Sequence, residues 1–291
     1  MRKIKALILV NAYGSTETRQ VKRMSEELIS LGAVVTVKRN NEFIARIEGG
    51  DVAVDTDCDF CVYLDKDKYV PRLLEKAGVR LFNSADAVEL CDDKMTTHIA
   101  LSGAGIAMPD TMPGLLCYEK SAPLDRDALI KVERALGYPV VVKMSYGSLG
   151  SGVFKADDRQ GLFDVAEKLK TVPHLFQRYI EKSHGLDMRV IVVGGKVLGG
   201  ILRRSGGDFR SNIGLGGRAE KADVPHEIKV MAERASGILG LDYCGIDFLL
   251  GDKPLLCEVN SNAFFDAFEK ATGINVAGAY AKHIIYQFET I

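Results

Sequence analysis

Two acidic residues and one amide residue fall on the same face of a β-hairpin that the sequence predicts over 244–260. With the turn centred in the Gly-Asp-Lys-Pro segment, strand alternation places Asp247 opposite Glu258, and Asn260 points the same way. Opposed carboxylates repel each other unless a cation or a proton lies between them. Because carboxylate and amide oxygens suit Mg²⁺ or Mn²⁺, the hairpin predicts a metal site. The alternative is that both acids simply face solvent at the edge of a sheet.

The other face of the same hairpin is predicted to be apolar. The opposed pairs on that face are Ile246 with Val259, Phe248 with Cys257, and Leu250 with Leu255. Burial of these side chains would anchor the hairpin in a hydrophobic core. The side chain of Cys257 is therefore expected among apolar neighbours, on the face away from the acids.

A glycine-rich loop, GSLGSG at 147–152, lies between two predicted strands and lacks the Gly-Lys-Ser/Thr ending of a P-loop. Glycine allows the backbone of such a loop to fold over a polyphosphate with its N–H groups turned inward. Lys143 lies on the preceding apolar strand, VVVKM, where a lysine is costly to bury unless it meets an anion. Together they predict a phosphate clamp. The alternative is a flexible hairpin turn beside a lysine at the edge of a sheet.

A series of arginines precedes the acidic hairpin. Asp187 and Arg189 alternate in LDMRVIV and so share one face of a strand, and the next strand ends in Arg203 and Arg204. The loop that follows carries Arg210, Ser211 and Asn212. Arginine binds phosphate or carboxylate through two parallel hydrogen bonds. A lone arginine is usually a solvated surface charge, but several that converge on one hairpin predict an anion site.

The elements that must position these residues differ along the chain. Over the first 88 residues strand and helix signals alternate, which predicts a small, mainly parallel sheet with helices on both faces. This unit is Rossmann-like, but its first strand is followed by NAYGSTETR and not by G-x-G-x-x-G, so a dinucleotide site is not expected. After Gly137 hairpins and helices predominate, which is typical of an α+β fold. Three domains are predicted, at 1–88, 89–183 and 184–291.

The composition excludes several other classes of protein. The 291 residues carry 38 Lys and Arg against 39 Asp and Glu, and a net charge of −1 argues against a general nucleic-acid binder. No apolar run is long enough to predict a membrane span. Cys58 and Cys61 form a C-x-x-C without the second pair that a zinc site would need. The six cysteines are therefore expected to be reduced thiols in a cytoplasmic protein.

The order of these motifs resembles that of the ATP-grasp carboxylate–amine ligases. A lysine strand, a glycine-rich loop, a strand ending in QRYIE, a D-x-R hairpin, GGDFRSN and GIDFL…CEVN follow one another. The chain is most similar to the RimK-type glutamate ligases, which modify ribosomal protein or add glutamate to small molecules. The resemblance covers roughly 84–288, and GGDFRSN with EVN is its most specific part. It implies a two-lobed ATP-grasp fold behind an N-terminal, Rossmann-like pre-ATP-grasp domain, which is an α/β and α+β protein.

The resemblance implies ATP as a cofactor and assigns residues to it. The implied ATP-binding residues are Lys94, Lys143, Gly147, Ser148, Gly150, Ser151, Gly152, Gln177, Arg178, Tyr179, Asp187, Arg210, Ser211 and Asn212. The lysines and the 210–212 segment would contact the phosphates, and the glycine-rich loop would cover them. Strand 177–179 would read the adenine edge through its backbone, and Asp187 would lie near the ribose.

The metal and catalytic roles follow from the same resemblance. Asp247, Glu258 and Asn260 would hold two Mg²⁺ (or Mn²⁺) ions, with Glu258 bridging. Arg189 and Arg203 would face the acyl-phosphate and the acceptor. Arg210 is assigned to catalysis as well as to the phosphates.

The implied reaction joins a carboxylate to an amine through an acyl-phosphate. The expected amine is L-glutamate, and the expected carboxylate belongs to a small molecule or a protein C-terminus. A homo-oligomer that contacts neither nucleic acid nor a membrane is expected. Two positions depart from the family pattern, because Arg178 replaces an acidic residue and Ser261-Asn262-Ala263-Phe264 replaces a Pro-Gly segment. The alternatives are a non-catalytic ATP sensor or assembly subunit on the same fold, and a solute-binding α/β protein without nucleotide.

Overall fold

The computed structural model describes residues 3–147, 150, 152–211 and 217–290. Ser148, Ser151 and Asn212, which the sequence assigns to ATP, lie outside the described residues. The strands are β1 (Lys5–Val10), β2 (Val34–Arg39), β3 (Ala45–Glu48), β4 (Asp51–Val54), β5 (Phe60–Leu64), β6 (Arg80–Phe82), β7 (Thr111–Pro113), β8 (Val140–Met144), β9 (Val153–Ala156), β10 (His174–Arg178), β11 (Leu186–Val193), β12 (Lys196–Arg204), β13 (Arg218–Ala222), β14 (Tyr243–Leu250) and β15 (Pro254–Asn260). The helices are α1 (Arg19–Ser30), α2 (Val70–Lys76), α3 (Ala85–Asp92), α4 (Lys94–Leu101), α5 (Arg126–Leu136), α6 (Arg159–Leu169), α7 (His226–Ile238), α8 (Asp266–Thr272) and α9 (Val276–Glu289).

The N-terminal sheet is parallel and has the strand order β2-β1-β5-β6. Successive side chains of β1 enter two different hydrophobic cores, as expected for a strand that is covered on both faces. Ala6 and Ile8 pack in a core with α1 and α9, whereas Leu7 and Leu9 pack in a core with α2. This arrangement agrees with the predicted α/β unit. The β3–β4 hairpin was not predicted, since ARIE and DVAV carry few buried residues.

The central sheet is antiparallel, with the order β7-β10-β8-β9. Strand alternation divides the VVVKM sequence of β8 between two environments. Val140 and Val142 pack against α5 and α6 in a separate core. Val141 and Lys143 face the opposite way and line a cleft. The helices therefore cover one face of this sheet, and the other face is left for binding.

The C-terminal sheet is also antiparallel, with the order β13-β12-β11-β14-β15. Gly194 and Gly195 join β11 to β12 with φ values of +55° and +71°, which is the left-handed backbone of a two-residue hairpin turn. Met188 and Val190 point into the core beneath α7. On the other face of β11, Asp187 and Arg189 carry charge, whereas Ile191 and Val193 pack in the core with α9. Among the described residues, no helix is both long and apolar enough to cross a lipid bilayer.

The register of the β14–β15 hairpin is partly as predicted. Asp247 lies opposite Glu258, and Ile246 lies opposite Val259. The prediction that Phe248 opposes Cys257 is wrong, because the register shifts there and Phe248 pairs with Leu256. Leu250 likewise pairs with Pro254, not with Leu255. Cys257 is the extra residue of a β-bulge, and a bulge turns a side chain away from the face that simple alternation predicts.

Candidate active site

A cleft lies between the uncovered faces of the central and C-terminal sheets. It brings together most of the residues that the sequence assigns to ATP, metal or catalysis. Those that line it are Lys94, Lys143, Gly147, Gly150, Gly152, Gln177, Arg178, Tyr179, Asp187, Arg203, Arg210, Ser211, Asp247 and Glu258. Arg189 and Asn260 lie on the same sheet face next to it but are not among its lining residues.

Four charged side chains form what we call the ion-paired floor, on the sheet face at the base of the cleft: Asp187, Arg203 and Asp247, which line the cleft, and Arg189 beside them. Cross-strand register brings them together, since Asp187 lies opposite Arg203 and Arg189 lies opposite Asp247. Arg189 donates from Nε and Nη2 to the two oxygens of Asp247, each at 2.7 Å. Arg203 donates from Nε to Asp187 Oδ1 at 2.7 Å and lies 2.9 Å from Asp247 Oδ2 through Nη2. The arginine series predicted from sequence thus meets carboxylates of the protein itself.

Burial and pairing act in opposite directions on the two floor carboxylates. For Asp247, burial raises the pKa, but the charges and hydrogen bonds of Arg189 and Arg203 outweigh it and hold the pKa below its ordinary value. For Asp187, burial and the nearby charge of Asp247 outweigh the effects of Arg203 and of a hydrogen bond from Ser211, and the pKa lies above its ordinary value. Burial also disfavours the Arg203 guanidinium, but Asp247 and Asp187 raise its pKa. Asp247 is therefore the firmly ionised acid of the pair.

The opposite side of the cleft carries two buried lysines, which we call the lysine wall: Lys94 and Lys143. Lys94 Nζ donates to the carbonyl of Gly147 at 2.9 Å and lies 3.5 Å from Glu258 Oε1. Lys143 Nζ lies 3.2 Å from Cys257 Sγ. Burial raises the pKa of that thiol, so it is neutral at pH 7. Among the described residues Lys143 has no carboxylate partner, and a buried ammonium in this state favours an anionic ligand.

The three predicted metal ligands have the right donor chemistry for a hard divalent cation. Asp247 and Glu258 offer carboxylate oxygens across one hairpin, and Asn260 follows on the same face. Nδ2 of Asn260 is buried and has no hydrogen-bond partner among the described residues. Asp247 is occupied by two arginines, whereas the side chain of Glu258 is 30% exposed to the cleft. In the described ranges no group of three or more His, Cys, Asp or Glu could hold a metal, so further ligands would have to come from phosphates or water.

A contact between two loops crosses the mouth of the cleft. Arg210 Nη1 donates to the carbonyl of Gly150 at 2.7 Å, which joins the loop after β12 to the glycine-rich loop. The same guanidinium is oriented by Asp208, which accepts from Nε at 2.9 Å and from Nη2 at 2.7 Å. The hydrogen bond from Arg210 lowers the pKa of Asp208 and so keeps this acid charged. Arg210 is thus held over the opening of the cleft.

Strand β10 forms the edge at which the sequence predicts adenine binding. Gln177 Nε2 donates to Thr111 Oγ1 at 3.0 Å, and its side chain is buried against β7. The guanidinium of Arg178 points away from the cleft. Its Nε donates to Asp110 at 2.8 Å, and its terminal nitrogens donate to the carbonyls of Ala135 and Leu136. The departure at Arg178 therefore anchors the strand from outside.

Several lining residues escaped the sequence analysis. The apolar ones beside the predicted adenine edge are Val141, Ile180, Leu186, Phe209 and Leu249. The signal for Val141 was available, because it shares a face of β8 with Lys143. Cys257 lines the cleft instead of the core, since the bulge inverts its direction. No pattern in the sequence marks that bulge.

Comparison with known proteins gives a family and a fold. Residues 91–284 match the family described as RimK-like ATP-grasp domain. Human N-acetylaspartylglutamate synthase A is 41% identical over 226 residues, which are 76% of this chain and 56% of that protein. Human beta-citrylglutamate synthase B is 39% identical over 226 residues, 76% of this chain and 57% of the relative. The chain thus spans a little over half the length of these relatives.

A solved structure matches over almost the whole chain. The ATP-grasp ligase PsnB, in complex with a phosphomimetic variant of a minimal precursor, Mg and ADP, superposes with a TM-score of 0.71. The match covers 99% of each chain at 20% sequence identity. At that identity the likeness establishes the fold, and the fold is that of an ATP-grasp ligase.

Proposed function

This chain belongs to the RimK-like ATP-grasp family, and we propose that it is an ATP-dependent carboxylate–amine ligase. One observation carries the proposal: Asp247 and Glu258 on one side of the cleft face the buried cations Lys94 and Lys143 on the other. The phosphates of ATP need such cations, and the carboxylates can hold the accompanying metal. A cleft that offers both supports the binding of a metal–nucleoside triphosphate.

The ATP-binding roles follow the geometry of the cleft. Lys94, Lys143 and Arg210 hold the phosphates, and the glycine-rich loop covers them. The adenine lies at the 177–179 edge, among the apolar residues named above. Asp187 stands near the ribose, with its carboxylate oriented by Arg203.

The reaction has two steps in this proposal. A carboxylate oxygen of the substrate attacks the γ-phosphorus of ATP, the bond to the bridging oxygen breaks, and ADP leaves. An amine then attacks the acyl carbon, inorganic phosphate leaves, and the amine loses a proton. The protein supplies position and charge neutralisation, with Arg189 and Arg203 beside the acyl-phosphate. Asp247, Glu258 and Asn260 would hold Mg²⁺ or Mn²⁺, which when bound neutralises charge on the phosphate oxygens.

We infer that the amine is L-glutamate and that the carboxylate belongs to a small acidic molecule. Each human relative is named as the synthase of a glutamate compound. The glutamate is joined to an N-acetylaspartyl group in one compound and to a citryl group in the other. Both of those groups are derived from small carboxylic acids. The segment from Ser261 to Phe264, directly after Asn260, also departs from the Pro-Gly segment of many relatives, and it resembles relatives that act on amino-acid or small peptide carboxylates.

The test measures ADP formation with ATP, Mg²⁺, L-glutamate and a panel that includes N-acetylaspartate and citrate. Mass spectrometry identifies the amide. The Glu258→Gln variant removes a proposed metal ligand and should abolish turnover. Asp252→Asn, on the exposed turn of the same hairpin, is the matched control and should keep wild-type turnover. Equal turnover in wild type and Glu258→Gln would contradict the site assignment.

A non-catalytic ATP sensor predicts a different result. Such a protein would bind Mg·ATP by calorimetry but release no ADP with any carboxylate and amine. The proposed positions of Arg189 and Arg203 beside the acyl-phosphate favour catalysis, because a sensor that only binds Mg·ATP has no need of arginines there.

A further inference from the structure

Helix α4 carries two polar side chains that reach the same strand. Lys94 is its first residue and His98 follows four residues later, so both lie on one face of the helix, one turn apart. The start of the helix is fixed by Asp93, whose side chain accepts from the backbone N–H of Met95 at 2.8 Å and of Thr96 at 3.2 Å. The two side chains are therefore presented from a firmly held turn.

Both side chains meet consecutive residues of the β15 bulge. Lys94 Nζ lies 3.5 Å from Glu258 Oε1, and His98 Nε2 lies 3.2 Å from the carbonyl oxygen of Cys257. A bulged residue leaves the ladder of the sheet, so its backbone groups need partners elsewhere. His98 supplies one such partner from outside the sheet.

His98 is buried and suited to this contact as a neutral donor. Burial lowers its pKa below the ordinary value and outweighs the opposite effect of the hydrogen bond to the Cys257 carbonyl. The charge of Lys143 lowers the pKa further, and that of Glu258 raises it. A neutral imidazole with its proton on Nε2 donates one hydrogen bond to the carbonyl. The bulge turns the thiol of Cys257 towards Lys143, and the next residue, Glu258, lies opposite Asp247 with its carboxylate in the cleft.

We propose that His98 is a positioning residue: by holding the carbonyl of Cys257 it fixes the backbone directly before Glu258 and so keeps the Glu258 carboxylate in place for the metal. This inference rests on the proposed function, in which Glu258 is a metal ligand. His98 touches neither the substrate nor the metal itself. Residues that orient metal ligands in this way typically contribute roughly 10–100-fold to metal affinity.

The experiment measures the dissociation constant of ADP by calorimetry, once with Mg²⁺ and once with a chelator. The ratio of the two constants gives the contribution of the metal without any need for turnover. His98→Leu should reduce this ratio about tenfold or more while the constant without Mg²⁺ stays unchanged. In His98→Gln the amide nitrogen occupies the place of Nε2, and the ratio should return to within about threefold of wild type.

The control is the second buried histidine that contacts a backbone carbonyl. His174 Nδ1 lies 2.7 Å from the carbonyl oxygen of Val172, and burial lowers its pKa as well, but it does not line the cleft. His174→Leu should leave the ratio unchanged. If His98→Leu does not fold, His98→Asn replaces it, because asparagine is too short to reach Cys257 and should show the same loss.

Three results would overturn the inference. One is an unchanged ratio in His98→Leu or His98→Asn. Another is a reduction in His98→Gln as large as that in His98→Leu. The third is an equal reduction in His174→Leu. If the wild type itself shows no Mg²⁺ dependence of ADP binding, the metal assignment in the proposed function fails first, which is a different outcome.

Discussion

The two sides of the cleft hold their charges in different ways. On the ion-paired floor, Arg189 and Arg203 make charged hydrogen bonds to Asp187 and Asp247 within the protein. On the lysine wall, by contrast, Lys94 donates to a backbone carbonyl and has only Glu258, 3.5 Å away, as an acidic neighbour. The nearest partner of Lys143 is a neutral thiol. Five of these six side chains are buried and that of Arg189 is only 17% exposed, so the difference does not come from exposure.

This difference predicts that the charges of the ion-paired floor stabilise the fold and that those of the lysine wall bind an anionic ligand. A buried ion pair is costly to break, because removing one partner leaves the other charged and unsolvated. A buried cation without an acidic partner is already costly, and an incoming phosphate relieves that cost. Substitutions on the floor should therefore lower stability in addition to any effect on activity, whereas substitutions on the wall should act on ATP without lowering stability.

The largest effect is expected for Arg203→Met on the floor. This change leaves Asp187 without its partner and removes one of the two arginines from Asp247. We expect the free energy of unfolding to fall by about 3–5 kcal/mol, measured by urea denaturation. Arg204→Met, at the exposed next position of β12, is the control and should stay within about 0.5 kcal/mol of wild type. Equal losses in both variants would contradict the structural role of the floor.

On the wall, Lys143→Met should separate activity from stability. The buried ammonium has no acidic partner among the described residues, so its removal should not lower the free energy of unfolding. We expect kcat/KM for ATP to fall roughly 10²–10³-fold, as when one preorganised donor is lost from a site of charge development. Lys131→Met, on the exposed side of α5, serves as the control. A stability loss as large as that of Arg203→Met would remove the distinction between wall and floor.

A smaller effect is expected where the two sides meet at the cleft mouth. Arg210→Ala removes the hydrogen bond to Gly150 and the proposed contact with a phosphate. A charged hydrogen bond of this kind contributes about 1.5–3 kcal/mol of net free energy. KM for ATP should rise roughly tenfold or more, measured from initial rates of ADP formation. Arg218→Ala, exposed on β13, should leave KM as it is. An unchanged KM in Arg210→Ala would show that this contact does not close over the nucleotide.

The smallest effect is expected for Arg178→Ala at the outer edge. Its guanidinium bonds Asp110 and two helix carbonyls, so we expect a loss of about 1 kcal/mol in the free energy of unfolding. KM for ATP should stay within about twofold of wild type, because the charge faces away from the cleft. A rise of tenfold or more would mean that the side chain reaches the adenine.

Much of the fold could be predicted because the buried strands carry strong apolar patterns. FCVYL and VVVKM are strands at the predicted positions, and Gly194-Gly195 turns the β11–β12 hairpin. The β3–β4 hairpin and β13 were missed, since their sequences ARIE, DVAV and RAEKA are largely exposed and polar. Such strands are determined by their neighbours and not by their own composition.

The sequence predicted which residues form the candidate site, but not which of them form ion pairs with one another. Alternation places Asp187, Arg189, Asp247 and Glu258 on one face, as the structure shows. That the arginines pair with these acids depends on which strand lies beside which, and the sequence does not contain that order. The bulge at Cys257 was equally out of reach, because a single extra residue leaves no repeat to detect. The domain limits at 88 and 183 stay predictions.

The most direct measurement of the central claim is capture of the acyl-phosphate with hydroxylamine in place of the amine. The protein is incubated with ATP, Mg²⁺ and the carboxylate panel, and the hydroxamate and ADP are quantified together. We predict that one carboxylate gives hydroxamate and ADP in equal amounts, and that Lys143→Met and Glu258→Gln give neither. ADP release without hydroxamate for every carboxylate, or hydroxamate in undiminished yield from both variants, would contradict the account of a cleft built from a paired floor and a lysine wall.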